Sequence, residues 1–215
     1  MKQFAVIGLG RFGTSVAKTL NMMGYEVLAV DDDQNRIQEI VNDVTHAIQA
    51  DAKDEQALKA LGIRNFDVVI VAIGQDMQAS ILVTVLLKEL GVKCVVTKAQ
   101  TELHGKVLVK VGADKVVYPE RDMGTRVAHS LVSSNVLDHI EISPDHSILE
   151  VIIPDNLVGK SLMESALRAK FGVTVMAIKR GNDIIVSPPP DDPMQEGDIL
   201  VVIGENKKLL SVERE

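Results

Sequence analysis

The residues with the clearest chemistry form a glycine-rich turn near the N-terminus, Gly8-Leu9-Gly10-Arg11-Phe12-Gly13. It follows the apolar run Phe4–Ile7 and opens a helix-like segment. In that context Gly8 permits a tight turn, Gly10 lets a pyrophosphate approach the backbone, and Gly13 allows close helix–sheet packing. The N–H groups that open the helix would face the anion. A second apolar run ends in Val30 and leads into Asp31-Asp32-Asp33. Asp31 stands near the spacing of about 20 residues at which a carboxylate meets ribose hydroxyls. A carboxylate there repels a 2′-phosphate and disfavours NADP. The competing reading is a glycine turn kept for packing alone.

Arg11 lies inside the glycine loop, where a guanidinium can fork onto phosphate oxygens. A dinucleotide pyrophosphate does not require it, whereas a terminal di- or triphosphate would gain from the charge. The plainer reading is a surface arginine at a helix start. Asp51 follows the third strand candidate and would border an adenine, accepting from its exocyclic amine. It would serve equally as an N-terminal carboxylate for the helix that begins near Asp54. A catalytic group is harder to find. The histidines at 46, 104, 129, 139 and 146 are scattered, and His104 and His129 read as surface or interface residues. HExxH, GxSxG and GxxxxGK[ST] patterns are absent from the sequence. The residues support binding better than catalysis. A small NAD-dependent oxidoreductase or an NAD-binding redox sensor is the alternative built on the same loop and Asp31.

These side chains need elements to hold them. Short β-branched runs at Phe4–Ile7, Glu26–Val30, His46–Gln49, Val68–Ala72, Cys94–Thr97 and Lys115–Val117 alternate with helix-periodic segments at Phe12–Met23, Gln34–Val41, Glu55–Leu61, Ala79–Leu90 and Leu103–Val111. Gly24, Gly62, Gly91 and Gly112 read as helix-terminating glycines. Strands so uniformly apolar suit a parallel sheet covered on both faces, so the fold class is α/β, a doubly wound Rossmann-type sheet. A long helix is expected from Pro119 to about Leu137, with Val127, Leu131, Val132 and Val136 on its apolar face. The apolar faces of Ala79–Leu90 and Gly124–Leu137 read as assembly surfaces or as ordinary core faces. Beyond it short strands outnumber helices, with one helix near Ser161–Lys170, giving a smaller α+β domain. The expected domains are 1–136 and 137–215.

Composition limits the partners. The 23 basic against 30 acidic residues give a formal net charge of −7, which argues against nucleic acid, where phosphate neutralisation dominates affinity. An anionic membrane surface is disfavoured for the same reason. Cys94 is the sole cysteine and reads as a buried, inert residue, fitting a reducing cytosol. The apolar runs are shorter than the ~20 residues that span a bilayer, and the opening residues have no signal-peptide pattern. The expectation is a cytoplasmic protein whose membrane role is played through a partner.

Taken together, Gly8–Gly13, Val71-Ala-Ile-Gly74 with Gln78-Ala-Ser80, Lys98-Ala-Gln100, and Gly112-Ala-Asp with Pro119-Glu-Arg-Asp-Met-Gly124 resemble the Ktr/Trk family, the RCK or KTN regulatory subunits of bacterial potassium uptake. Gly159-Lys-Ser-Leu162 and Gly197-Asp198 resemble that family's C-terminal RCK domain. The resemblance covers nearly the whole chain and is to the single-copy Ktr type. It implies a non-enzymatic gating subunit, activated by ATP and inactivated by ADP, with NAD(H) bound in some members. It also implies homodimers joined through the long helix, an octameric ring, and a potassium translocator at the inner face of the membrane.

Carried over by the resemblance, Gly8, Gly10 and Gly13 shape the phosphate loop with Phe12 beside it. Asp31 and Asp33 hold the ribose, while Asp51 lies against the adenine, with Ala52 and Ala72 lining the site. Arg11 reaches the β/γ-phosphates, including those of a neighbouring subunit, and Lys98 lies close to the same cavity. Glu120 resembles a glutamate that helps hold a divalent cation, Mg²⁺ or Ca²⁺; a single carboxylate with phosphate oxygens and water suits a hard cation. An N-terminal helix carboxylate after Pro119 is the other reading of Glu120. Arg168, Val173, Thr174, Val175 and Pro188 match the region where several members bind cyclic di-AMP between C-terminal domains.

Overall fold

A computed structural model describes residues 2–132 and 136–212. The backbone forms two compact units that divide between Glu120 and Arg121. The first carries six parallel strands, β1 (Gln3–Ile7), β2 (Glu26–Asp31), β3 (His46–Gln49), β4 (Val68–Val71), β5 (Val95–Lys98) and β6 (Lys115–Val117), in the order β3-β2-β1-β4-β5-β6. Helices α1 (Arg11–Met22), α2 (Gln34–Ile40), α3 (Glu55–Ala60), α4 (Met77–Glu89) and α5 (Glu102–Lys110) connect them.

The apolar strands follow from burial on both sides. Ala5 and Ile7 of β1 pack with Leu28, Val30, Val69 and Val71 against Leu58 of α3 and Val83 and Leu87 of α4. The alternate residue Val6 packs with Val27, Ala29 and Ile70 against Ala17 of α1 and Ile37 and Ile40 of α2. Successive side chains point to opposite faces, so both sets must be apolar. The glycines expected to end helices at 24, 62, 91 and 112 all have positive φ, the backbone region that favours glycine. The order reverses between β1 and β4, and in such sheets ligands bind beyond the strand ends at that switch point.

Helix α6 (Pro119–Val132) starts in the first unit and continues into the second. The compact-unit break therefore falls earlier than the 136/137 boundary read from the change in strand and helix pattern. A bidentate Arg126–Asp138 pair ties this helix to the strand after it. The helix was expected to reach Leu137, but Val136 and Leu137 belong to strand β7 (Val136–Ser143). Val136 is buried in the second unit's core instead of lying on a helix face. Residues 133–135, on which part of that expectation falls, lie outside those described.

The second unit is an antiparallel sheet, β10-β9-β11-β8-β7, completed by β8 (His146–Ile152), β9 (Thr174–Arg180), β10 (Asp183–Val186) and β11 (Ile199–Glu205). Its core joins Leu149, Val151, Ile178, Leu200 and Val202 to Leu167, Met194 and Leu209. The single helix expected at Ser161–Lys170 is two, α7 (Leu162–Ser165) and α8 (Leu167–Phe171), separated by Ala166 at φ 51°. The break lets Ser165 and Leu167 both be buried. Helix α9 (Asn206–Val212), unforeseen from the sequence, packs Leu209 into this core. Cys94 is half-buried just before β5, more open than expected.

Candidate functional site

The three glycines of the loop after β1 sit in three different surroundings. Gly8 has φ 93°, and a Cβ there would meet the backbone N of Ile73 at 3.0 Å and the carbonyl carbon of Ala72 at 3.1 Å. A Cβ on Gly13 would come within 1.9 Å of the Gly8 carbonyl oxygen, so this turn of α1 packs directly on the loop. A Cβ on Gly10 would meet nothing within 4 Å. Gly10 caps α1 without a side-chain hydrogen bond, and the first intrahelical bond runs from Thr14 N–H to the Gly10 carbonyl. The N–H groups of the first turn are thus left for an outside acceptor.

A cavity of about 650 Å³ runs along the carboxyl ends of the strands in front of this loop. That size is typical of small-molecule sites. Of the residues singled out in the sequence, Gly8, Gly10, Arg11, Phe12, Asp31, Asp51, Ala52, Ala72, Lys98 and Glu120 line it. Gly13 and Asp33 do not: Gly13 works behind the loop, and Asp33 caps α2 by accepting from Asn35 N–H at 2.9 Å. The sequence reading missed Asp32, Arg36, Gly74 and Gln100, which also line the cavity. Asp32 was visible in the acidic trio, and Arg36 lies one helical turn beyond it.

At the β2–β3 side the charges are engaged with the protein. One Asp31 oxygen accepts from Leu9 N–H at 2.5 Å and from Arg36 at 3.2 Å; the other accepts from Asp33 N–H at 2.9 Å. Burial pushes this carboxyl up, but those backbone donors and the Arg36 guanidinium outweigh it and hold it below its ordinary 3.8. Asp31 thereby fixes the glycine loop to the β2 end. Asp51 accepts from Lys53 N–H at 2.9 Å, and its side chain stays open at the cavity edge. The carboxylate that caps α3 is Asp54, which accepts from Gln56 N–H at 2.8 Å.

At the β5–β6 side the charges face the cavity. Lys98 ends β5 with a side chain only 11% exposed. Its ammonium lies 2.5 Å from Glu120 Oε1 and 5.9 Å from the centre of the Phe12 ring. An ammonium has three donors, and among the described residues one meets an acceptor, Glu120. Lys98 holds the Glu120 carboxyl below its usual 4.5. Among the described residues no three His, Cys, Asp or Glu side chains form a metal-binding group. Arg11, at the first position of α1, has no hydrogen-bond or ion-pair partner among the described residues. A cation at a helix N-terminus opposes the macrodipole unless an anion joins it. His104, expected at the surface, is 4% exposed. Its Nδ1 accepts from Gln100 N–H at 3.4 Å, and burial holds the imidazole below its ordinary 6.5.

In the second unit, Thr174 and Val175 open β9. Ser187 N–H donates to the Met176 carbonyl and brings Pro188 to the same end of that hairpin. Arg168 is exposed on α8, and Val173 is buried between α8 and β9.

Fold and site together define a Rossmann-type domain with a nucleotide-sized cavity, followed by a second α+β unit. The TrkA-N domain family matches residues 4–119, and the TrkA-C domain family matches residues 148–215. The Ktr system potassium uptake protein C of Bacillus subtilis (strain 168) is 52% identical over 203 residues, covering 94% of this chain and 92% of that protein. The Ktr system potassium uptake protein A of the same organism is 49% identical over 214 residues, covering 100% and 96%. The crystal structure of the GsuK RCK domain shares the fold at a TM-score of 0.56 and 24% identity, over 99% of this chain and 46% of that one. The chain belongs to the Ktr/Trk family of potassium-uptake regulatory proteins. Among the described residues no helix is long and apolar enough to cross a membrane.

Proposed function

We propose that this chain is the nucleotide-sensing gating subunit of a bacterial potassium uptake system, with ATP favouring the active state and ADP the inactive one. The observation that carries this reading is Arg11, a guanidinium without a partner among the described residues, at the start of α1 and lining the same cavity as Lys98. Two cations converging on a glycine loop suit a polyphosphate chain. ATP and ADP share their adenosine contacts, so a choice between them has to come from groups that sense the terminal phosphate. A ligand shifts an equilibrium only by its differential affinity for the two states.

In this reading the glycine loop and the α1 N-terminus bind the phosphates. Asp31 holds the loop in place, while Asp32 and Asp51 lie toward the ribose and adenine. Glu120 holds a divalent cation, Mg²⁺ or Ca²⁺, together with phosphate oxygens. Residues 1–136 act as the nucleotide domain and 137–215 as the regulatory domain, where Arg168, Thr174, Val175 and Pro188 form the cyclic di-AMP region. The protein works in the cytoplasm, docked on the inner face of a membrane potassium translocator, as homodimers closed into an octameric ring. Met123, Val127 and Leu131 support the dimer through α6, since they repeat every four residues on one stripe and are all exposed.

The test is calorimetric titration of the purified protein with ATP, ADP, NADH and cyclic di-AMP, each with and without Mg²⁺ or Ca²⁺. Adenine-nucleotide binding in which the cation strengthens ATP alone is expected. Binding of NADH alone would replace this reading with a redox sensor.

A further inference from the structure

The Lys98-Ala-Gln100 and Ala-Ile-Gly74 segments meet at the cationic end of the cavity. The Gln100 carboxamide Nε2 donates to the Gly74 carbonyl, linking the loop after β4 to the end of β5. A Cβ on Gly74 would lie 3.3 Å from Lys98 Nζ, 3.8 Å from Lys98 Cε and 4.0 Å from Gln100 Nε2. The Lys98 ammonium is therefore confined by the Gly74 backbone on one side and by Glu120 and the Phe12 ring on others. Such a cage fixes where a nearly buried charge presents its remaining donors. Preorganised donors of this kind discriminate between ligands by position, because a mismatch leaves a buried polar group unpaired.

We propose that Gly74 and Gln100 are positioning residues that set the reach of the Lys98 ammonium and so select adenine nucleotides by the length of their phosphate chain. The absence of a side chain at 74 leaves room for the ammonium, which a Cβ would press at 3.3 Å, and the Gln100 hydrogen bond ties that loop to the end of β5. The inference rests on the nucleotide reading given above and adds the residues that tune it.

Two variants test it by different routes. Gly74→Ala keeps the Gln100 bond but crowds the ammonium. Gly74 is not among the glycines with positive φ, so the methyl brings no backbone strain. Gln100→Met keeps the volume and removes the bond. Affinities for AMP, ADP and ATP are measured by calorimetry on the full chain in chelator, so that no divalent cation masks the lysine. Both variants are expected to weaken ATP about tenfold while leaving AMP within about twofold, the scale of one charge-assisted hydrogen bond. Equal weakening of all three nucleotides would mean a merely structural role and would overturn the proposal. Unchanged affinities in both variants, with wild type binding normally, would overturn it while leaving the nucleotide reading intact. A wild-type chain that binds no adenine nucleotide would overturn both. If Gly74→Ala fails to fold, Gln100→Met decides alone.

Discussion

The two ends of the cavity use charge in opposite ways. At the β2–β3 end, Asp31 is buried and accepts from two backbone N–H groups and Arg36, so its charge holds the protein together. At the β5–β6 end, the Lys98 ammonium has one acceptor, Glu120, among the described residues, and Arg11 at the start of α1, lining the same cavity, has no partner among them. The contrast teaches a division of labour. The carboxylate end is part of the framework, and on the proposed function it meets what all adenine nucleotides share. The cationic end adds little to folding, and on the proposed function it is the end that senses the phosphates by which adenine nucleotides differ.

The largest effect expected from that contrast is on stability. Asp31→Ala leaves the Leu9 and Asp33 N–H groups without their acceptor, and should lower the unfolding free energy by about 2–3 kcal/mol in urea titrations. It should weaken every adenine nucleotide together, because the glycine loop loses its anchor. The Asp31 carboxyl lies below its unfolded value of 3.8, so its stabilisation is present above that pH and is lost as pH falls through the lower folded value. The variant should lack this acid-sensitive portion.

Next in size is Lys98→Met, which keeps the apolar stem and removes the charge. ATP should weaken about tenfold or more by calorimetry, with AMP little changed and the urea midpoint nearly unmoved. A stability loss as large as that of Asp31→Ala would erase the distinction between the two ends.

Acidification sharpens the comparison further. Burial lowers the His104 pKa, so neutral His104 stabilises the fold above 6.5, and that contribution is lost as pH falls through the lower folded value. His104 is hydrogen-bonded to the backbone of Gln100, so this loss belongs to the cationic end. Urea midpoints at about pH 7.5 and about pH 5.5 should differ in wild type by more than in His104→Gln. The smallest effect is that of Glu120→Gln. Its side chain is 70% exposed, and the Lys98 pair is discounted by solvent, so stability should change by less than about 0.5 kcal/mol. Cation-dependent strengthening of ATP should nonetheless disappear.

The sequence made the first unit legible because its strands are apolar on both faces and its helices end at glycines that need positive φ. Each observed strand of the parallel sheet begins and ends within a residue or so of the run that announced it. The glycine loop, Asp31 and Asp51 were legible as residues at strand ends, where a switch point collects ligands, whereas Ala72, Lys98 and Glu120 entered through the family resemblance. What was hidden depends on partners far along the chain. Nothing in Asp31-Asp32-Asp33 reveals that Asp31 accepts from Leu9, or that Asp31 and Asp32, but not Asp33, line the cavity. The Gly74–Gln100 link joins residues from separate βα units. In the second unit, the break at Ala166 runs against alanine's helix preference, and burial of Ser165 and Leu167 overrides that local signal.

The most direct measurement is the ratio of ADP to ATP dissociation constants for wild type and Arg11→Ala, both with Mg²⁺. Terminal-phosphate sensing at the cationic end predicts a ratio in wild type well above one, roughly tenfold for one charge-assisted contact. In Arg11→Ala it predicts a ratio near one, with ADP binding preserved. Equal loss of ATP and ADP in the variant would contradict it, placing Arg11 among the contacts common to all nucleotides.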